Sequence, residues 1–401
     1  MNPTSAALCT ALLLYFDHNA TTPVAPEVAE AMTSAVRDVF GNPSSTHQHG
    51  QRAKQQLENA RRRLAAVLEV TPAEFVFTSG GTESNNLAIL GTMRNLPAAK
   101  SHVITTVIEH PSVLETFRQL KREGVDVTHI GADREGRVDA AEVAHHLRPE
   151  TALVSVMHAN NETGVIQPIE EIGAMVRTRR DAGQRVWFHS DGVQAMGKIP
   201  IDLRKLGVDL YGVSAHKVYA PKGIGGLFVR HGVPLGSTHY GGRHERERRP
   251  GTENVPGAVA FALALELCAA DEAQSMMKLR DSFEARILSS LTEVEVNGGA
   301  ASRLPNTSNL LFRGVSGEGL LIALDIQGIA VSTGSACSSG SIEPSPVLLS
   351  MGRTREEARS SVRFSLGRYN TEEDVHRLTE AVIACTGPLR RSHKPEGQFA
   401  L

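Results

Sequence analysis

Between residues 74 and 230, short apolar runs alternate with helical stretches and polar turns: EFVF (74–77), HVITTV (102–107), VDVTHI (125–130), ALVSVM (152–157), RVWFH (185–189), VDLYGVS (208–214) and GGLFVR (225–230). That alternation predicts βαβ units, and hence a mainly parallel sheet with helices on both faces. Two amphipathic helices precede it. Residues 28–40 set Val28, Met32, Ala35, Val36 and Val39 on one helical face, and residues 51–68 do the same with Ala53, Leu57, Ala60, Leu64 and Leu68. After the charged, Gly-containing stretch GGRHERERRPGT (241–252), helical sequence runs from about 254 to 292. TSNLLF (307–312), EGLLIALDI (318–326), SSVRFSL (360–366) and TEEDVHRLTEAVIAC (371–385) then mix strands and helices on the scale of a smaller α+β domain. We therefore expect a large domain over 15–268 and a small one over 269–401, with the border inside a helix and the first residues joining the small domain.

Composition narrows the class. At 401 residues, 41% of them apolar, the chain has enough core for two or three domains, and wholesale disorder is excluded. Lys plus Arg at 42 against Asp plus Glu at 44 gives a net charge of −2, interspersed, so nothing asks for nucleic acid or an anionic membrane. Cys9, Cys268, Cys337 and Cys385 are far apart and form no CxxC. Neither a disulfide framework nor a zinc ribbon is suggested, no metal is called for, and a reducing compartment fits best. The opening AALCTALLLYF is short for a membrane span and has no Lys or Arg before it, so the expectation is a cytoplasmic protein whose N-terminal extension runs into the first strand.

In an open parallel sheet, ligands bind at the carboxyl ends of the strands. EFVF leads to TSGGTESNN, where Gly80 and Gly81 let a backbone approach closely and Thr82 is placed to cap a helix whose start can bind an anion. HVITTV leads to His110 before Pro111, and ALVSVM leads to HANNETG with Asn161. RVWFH leads to SDGVQ with Asp191 and Gln194, and VDLYGVS leads to AHKVYAPKGIGG, adding Ser214, His216 and Lys217. Each has an ordinary alternative: a structural histidine, a capping acid, a surface lysine. Together they supply anion donors, a carboxylate, an amide, an imidazole and an amine. A pyridoxal 5′-phosphate (PLP) site needs that set: a Schiff-base lysine, an acid for the pyridine nitrogen, and small or hydroxyl-bearing residues for the phosphate. Neither a Walker lysine motif nor a GxGxxG turn competes with it.

The segments NATTPV (19–24), FGNPSSTHQHG (40–50), FTSGGTESNN (77–86), HANNETGV (158–165), HSDGVQAMGK (189–198), SAHKVYAPKGIG (214–225), GGRHERERRPGTEN (241–254), STGSACSSGSIEPS (332–345) and VRFSLGRY (362–369) resemble a cysteine desulfurase of the class V aminotransferase group, nitrogen-fixation and iron–sulfur-cluster type. The likeness covers residues 15 to 390 in unbroken order. It implies an α/β, PLP-dependent fold type I protein that works as a homodimer and hands sulfur to an acceptor such as an iron–sulfur scaffold protein. By that resemblance Lys217 would hold PLP, His110 would stack on its ring, Asp191 would pair with the pyridine nitrogen and Gln194 would reach the ring hydroxyl. Asn161 would also touch the cofactor; Gly81, Thr82, Ser214 and His216 would hold the phosphate, with Thr252 supplied by the partner subunit. Arg363, helped by Asn42, would clamp the carboxylate of L-cysteine. GGT stands where many relatives have GAT, and the extension before Tyr15 is longer than usual.

The resemblance also gives GSACSSGS (334–341) a purpose. A structural cysteine usually sits among apolar neighbours, but Cys337 sits among glycine, alanine and serine, which predicts an exposed, mobile loop. Lys217 would take the substrate Cα proton, and the Cys337 thiolate would attack the substrate sulfur, leaving alanine and a persulfide. The thiol must then travel from a buried cofactor to an acceptor, which such a loop eases. Two other readings stay open. One is another enzyme of the same fold: an aminotransferase, a kynureninase-like hydrolase or a selenocysteine-preferring lyase. The other is a catalytically silent scaffold for sulfur-transfer partners. Cys337 argues against the first two enzymes, and the intact set of Lys217, Asp191 and Cys337 argues against the scaffold.

Overall fold

The computed structural model describes residues 13–97, 101–334 and 343–392. Its largest sheet has seven strands in the order Phe75–Thr78, Gly225–Val229, Leu210–Ser214, Trp187–Asp191, Thr151–Ser155, His102–Thr106, Asp126–Ile130. Only Gly225–Val229 runs antiparallel to its neighbours. The expected runs are all strands, with ends shifted by one or two residues. RVWFH extends to Asp191, so that acid ends a strand instead of following one.

Both faces of this sheet are buried, which is why its strands read as continuous apolar runs. Alternation sends Phe75, Phe77, Ile104, Val154 and Phe228 into one core with Leu57, Leu64 and Phe261. It sends Val76, Val103, Leu153 and Leu227 into another with Leu87, Phe117 and Leu120. Each such side chain contributes about 2 kcal/mol by leaving water.

The two early helices are Pro26–Asp38, with proline preset at its first turn, and Gln48–Val67. The second buries all of Ala53, Leu57, Ala60 and Leu64, with Leu68 just past its end. On the first, Val28 and Ala35 are buried and Met32 and Val39 pack on the core, but Val36 is 57% exposed. Val36 lies one step off the 28–32–35–39 stripe and turns outward.

The helical stretch expected over 254–292 is two helices, Val255–Glu266 and Ala270–Ser290. A border at 268/269 therefore falls in the connection between them, not inside a helix. Beyond it an antiparallel sheet of Val294–Val296, Thr307–Phe312 and Ser361–Ser365 packs under Glu372–Ser392 around Phe283, Leu310, Phe312, Phe364 and Leu378. Leu14 and Phe16 join this core, and Leu14–Tyr15 pairs parallel with Ile329–Ala330. The chain then crosses at residues 17–22 to the carboxyl ends of the large sheet. Among the described residues no helix is long and apolar enough to cross a membrane.

Candidate active site

A cavity of about 220 Å³ lies at those carboxyl ends. It is lined by Gly81, Thr82, His110, Asn161, Asp191, Gln194, Ser214, His216 and Lys217, so the structure brings these expected residues together. Asn85, Ser112, Met157 and Val193 line it too and were not anticipated.

The helix Gly81–Met93 starts at the cavity, and its N-cap is Gly80, which makes no side-chain cap. Thr82 is thus inside the first turn and not the cap that sequence suggested. The first N–H groups of a helix without a side-chain cap, beginning at Gly81, form a donor cluster suited to an anion. A Cβ at Gly81 would press on Val193, which accounts for glycine here in this chain.

Asp191 is buried at the end of its strand, and its two oxygens accept from Asn85 Nδ2 at 2.7 Å and Val193 N at 2.9 Å. Asn85 also donates to Ser112 Oγ, and that hydroxyl lies 2.8 Å from His110 Nδ1. Because His110 Nδ1 accepts the Ser112 backbone N–H, it caps the helix Pro111–Arg122 and leaves its ring proton on Nε2. Burial holds His110 below its ordinary range, against the pull of Asp191. His216 falls to about 4 through burial, with Lys217 and Lys222 adding. Both imidazoles are neutral at physiological pH.

Lys217 follows the strand Leu210–Ser214 in a single 3₁₀ turn. Its Nζ donates to the carbonyls of Asn19 and Ala20, at 2.6 Å each. Burial, then Arg363, lowers its amine to about 8, while Asp17 and Asp191 act the other way. Its neutral fraction at neutral pH is far larger than that of an ordinary lysine, which suits a nucleophile and a base. The segment 19–22 clasps the turn again through Thr22, which donates to His216 O and accepts from Tyr219 N.

Arg363 is buried beside this group, donating from Nη2 to Asp17 at 2.6 Å and from Nη1 to the Asn161 carbonyl at 2.8 Å. Its Nε is buried and has no hydrogen-bond partner among the described residues, an unsatisfied donor that a carboxylate would satisfy. Asn42 is not with it. That residue is exposed, and its Oδ1 accepts from Ser44 N. Thr252 is also exposed and does not line the cavity of its own chain. Cys337 lies outside the described residues.

Sequence reading gave no role to Asn19, Lys198 or Glu109. Asn19 and Lys198 are buried around Gln194. Glu109 accepts from Thr106 Oγ1 and Met157 N, and burial, with Asp191 adding, pushes it up to about 8, so it is mostly a neutral acid.

The aminotransferase class-V family matches residues 14–378. The cysteine desulfurase IscS of Dictyoglomus turgidum is 43% identical over 380 residues, covering 94% of this chain and 95% of that protein. A cysteine desulfurase of Trichormus azollae is 45% identical over 381 residues, 94% of each chain. Among solved structures, a NifS-like protein superposes with a TM-score of 0.87 at 37% identity, covering 93% of this chain and 99% of that one. SspA in complex with cysteine superposes with a TM-score of 0.79 at 36% identity, covering 89% and 100%.

Proposed function

The chain belongs to the class V aminotransferase family, and from that membership we propose that it is an L-cysteine desulfurase. It converts L-cysteine to L-alanine and leaves the sulfur as a persulfide on Cys337. The balance is simple: the substrate C–S bond breaks, an S–S bond forms to the Cys337 thiolate, and the substrate carbon gains a proton. The family is PLP-dependent in general, and the donor set fits PLP: an amine, a carboxylate, neutral imidazoles and an uncapped helix start around one cavity. The observation that carries the reading is Lys217, its amine held near 8 by burial, in the same cavity as Asp191.

Lys217 would hold the cofactor, Asp191 would face the pyridine nitrogen, and His110 would lie against the ring, its orientation fixed by Ser112. Gln194 and Asn161 would contact the ring substituents, and Gly81, Thr82, Ser214 and His216 would take the phosphate. Bound there, PLP supplies an electron sink for breaking the bonds at the substrate Cα and Cβ. Arg363 binds the substrate carboxylate with its guanidinium, whose buried Nε lacks a partner among the described residues. Lys217, once released, carries the Cα proton, a task that its lowered basicity suits.

Thr252 acts from a second subunit in this reading, and Asn42 helps Arg363. Tyr240 at 99% exposure and Phe40 at 72% are apolar groups that a homodimer would cover. The finer proposals are a cytoplasmic homodimer that passes persulfide sulfur to an acceptor such as an iron–sulfur scaffold protein. The test is an absorbance spectrum of the pure protein before and after L-cysteine, with alanine and sulfide measured together. A colourless protein that makes no alanine would refute the reading.

A further inference from the structure

Lys198 is only 7% exposed, yet it belongs to no ion pair among the described residues. Burial, with Lys217 and Arg363 adding, holds its amine well below the ordinary lysine range. Its Nζ donates to Gln194 Oε1 at 2.8 Å and to Asn19 Oδ1 at 3.1 Å. An amine with two or three N–H groups serves both acceptors, whatever its protonation state.

Two independent partners fix which way these amides face. Gln194 Nε2 donates to the Asn19 carbonyl at 3.0 Å, and a carbonyl can only accept. Asn19 Nδ2 donates to the Asn161 carbonyl at 3.3 Å and to Thr307 Oγ1 at 2.9 Å. Each oxygen therefore turns toward Lys198. One N–H of Gln194 is used by Asn19, which leaves the other as the group Gln194 can offer to the cavity that it lines.

We infer that Lys198 is a positioning residue: it locks Gln194 so that the side chain presents a donor, never an acceptor, to an anionic ring oxygen of the cofactor. The inference rests on the PLP reading above. Without Lys198 the Asn19 carbonyl alone holds the Gln194 amide, and an amide that turns sets an acceptor against the oxyanion, which repels it.

The test is titration of apoprotein with PLP, followed by the absorbance of the bound cofactor. Lys198→Met keeps length and apolar volume but removes both donated bonds. Its PLP Kd should rise about tenfold, the effect expected for one lost buried hydrogen bond, and its absorbance maximum should move. In a Gln194→Ala background the same substitution should change the Kd less than about twofold, because Lys198 acts through Gln194. Gln194→Glu keeps an acceptor for Lys198 but loses the N–H, and it should bind PLP at least about tenfold more weakly. This variant decides the matter if Lys198→Met does not fold. A folded Lys198→Met with wild-type affinity, an undiminished effect without Gln194, or tight binding by Gln194→Glu would each overturn the inference. A wild-type apoprotein that takes up no PLP would overturn the functional reading, and this inference with it.

Discussion

Glu245 is the most exacting place to test how the loop after residue 238 is held. It is the first of three consecutive residues of positive φ, Glu245 at 45°, Arg246 at 57° and Glu247 at 65°, a strained backbone that needs a strong anchor. The anchor is the Glu245 carboxylate. It accepts from Arg61 Nη1 at 2.7 Å, Arg61 Nη2 at 2.6 Å and Phe77 N at 2.8 Å, with both side chains nearly free of water. Glu245→Ala would leave a buried guanidinium with only the Phe75 carbonyl and Glu58 at the edge. Breaking a buried pair in this way costs about 3–5 kcal/mol, because one charge stays uncompensated. That corresponds to a fall on the order of 10 °C in Tm, measurable by calorimetry or urea unfolding. The double variant Arg61→Met with Glu245→Gln removes both charges and keeps an acceptor for Phe77 N, so it should recover at least half of the loss. A Glu245→Ala protein within about 1 kcal/mol of wild type, or a double variant no better than it, would refute the reasoning.

Lys217→Ala should lose the visible band of the bound cofactor and all alanine production, since no other lysine lines the cavity; wild-type turnover would end its assignment. Gly192→Ala places a methyl inside the ring of Tyr211, which is fully buried and bonded to His158 at 2.7 Å, so stability should fall by about 1–3 kcal/mol, and Tyr211→Leu should restore part of it in a thermal-shift assay. Cys337→Ser should still take up PLP and L-cysteine but make almost no alanine, while replacing Cys268 and Cys385 by Ala should spare activity. Burial pushes the Cys268 thiol to about 11 and raises that of Cys385, so neither is a thiolate at neutral pH. Mass spectrometry should locate the added sulfur on Cys337.

The large sheet was legible because strands buried on both faces read as apolar runs, and the runs end where the chemistry starts. That rule put Lys217, Asp191 and His110 among the candidates, and the resemblance gave them their roles. Asn19 and Lys198 could not be found by it: the partner of Lys217 is 198 residues away in sequence, and a lysine in QAMGK has no local mark of burial. Asn85 and Ser112 were hidden for the same reason, since the relay from Asp191 to His110 spans three elements. Thr82 was misjudged as a cap because helix starts are uncertain by one or two residues, and the N-cap is Gly80. Asn42 and Thr252 were named through resemblance, and they are exposed in a single chain. The resemblance assigns Thr252 to a partner subunit and Asn42 to helping Arg363, and no periodicity encodes either role.

The electrostatics around Lys217 give a prediction whose sign is fixed by geometry. Arg363 and Asp17 are bonded to each other at 2.6 Å, yet they act on Lys217 in opposite senses, the guanidinium lowering its amine and the carboxylate raising it. Only the neutral amine can attack the cofactor aldehyde, so the rate at which apoprotein develops the cofactor band should rise with pH and level off above about 8. Arg363→Gln removes a neighbouring positive charge and should move this midpoint upward. Asp17→Asn keeps the hydrogen-bond acceptor for Arg363 but removes the negative charge, and it should move the midpoint downward. A pair at the edge of a cavity acts through an intermediate dielectric, so each shift should be on the order of half a unit. Stopped-flow absorbance over pH 6 to 10 resolves that. Packing damage would slow both variants without moving their midpoints apart, so midpoints that shift together, or not at all, would sink the claim that these two charges tune the lysine.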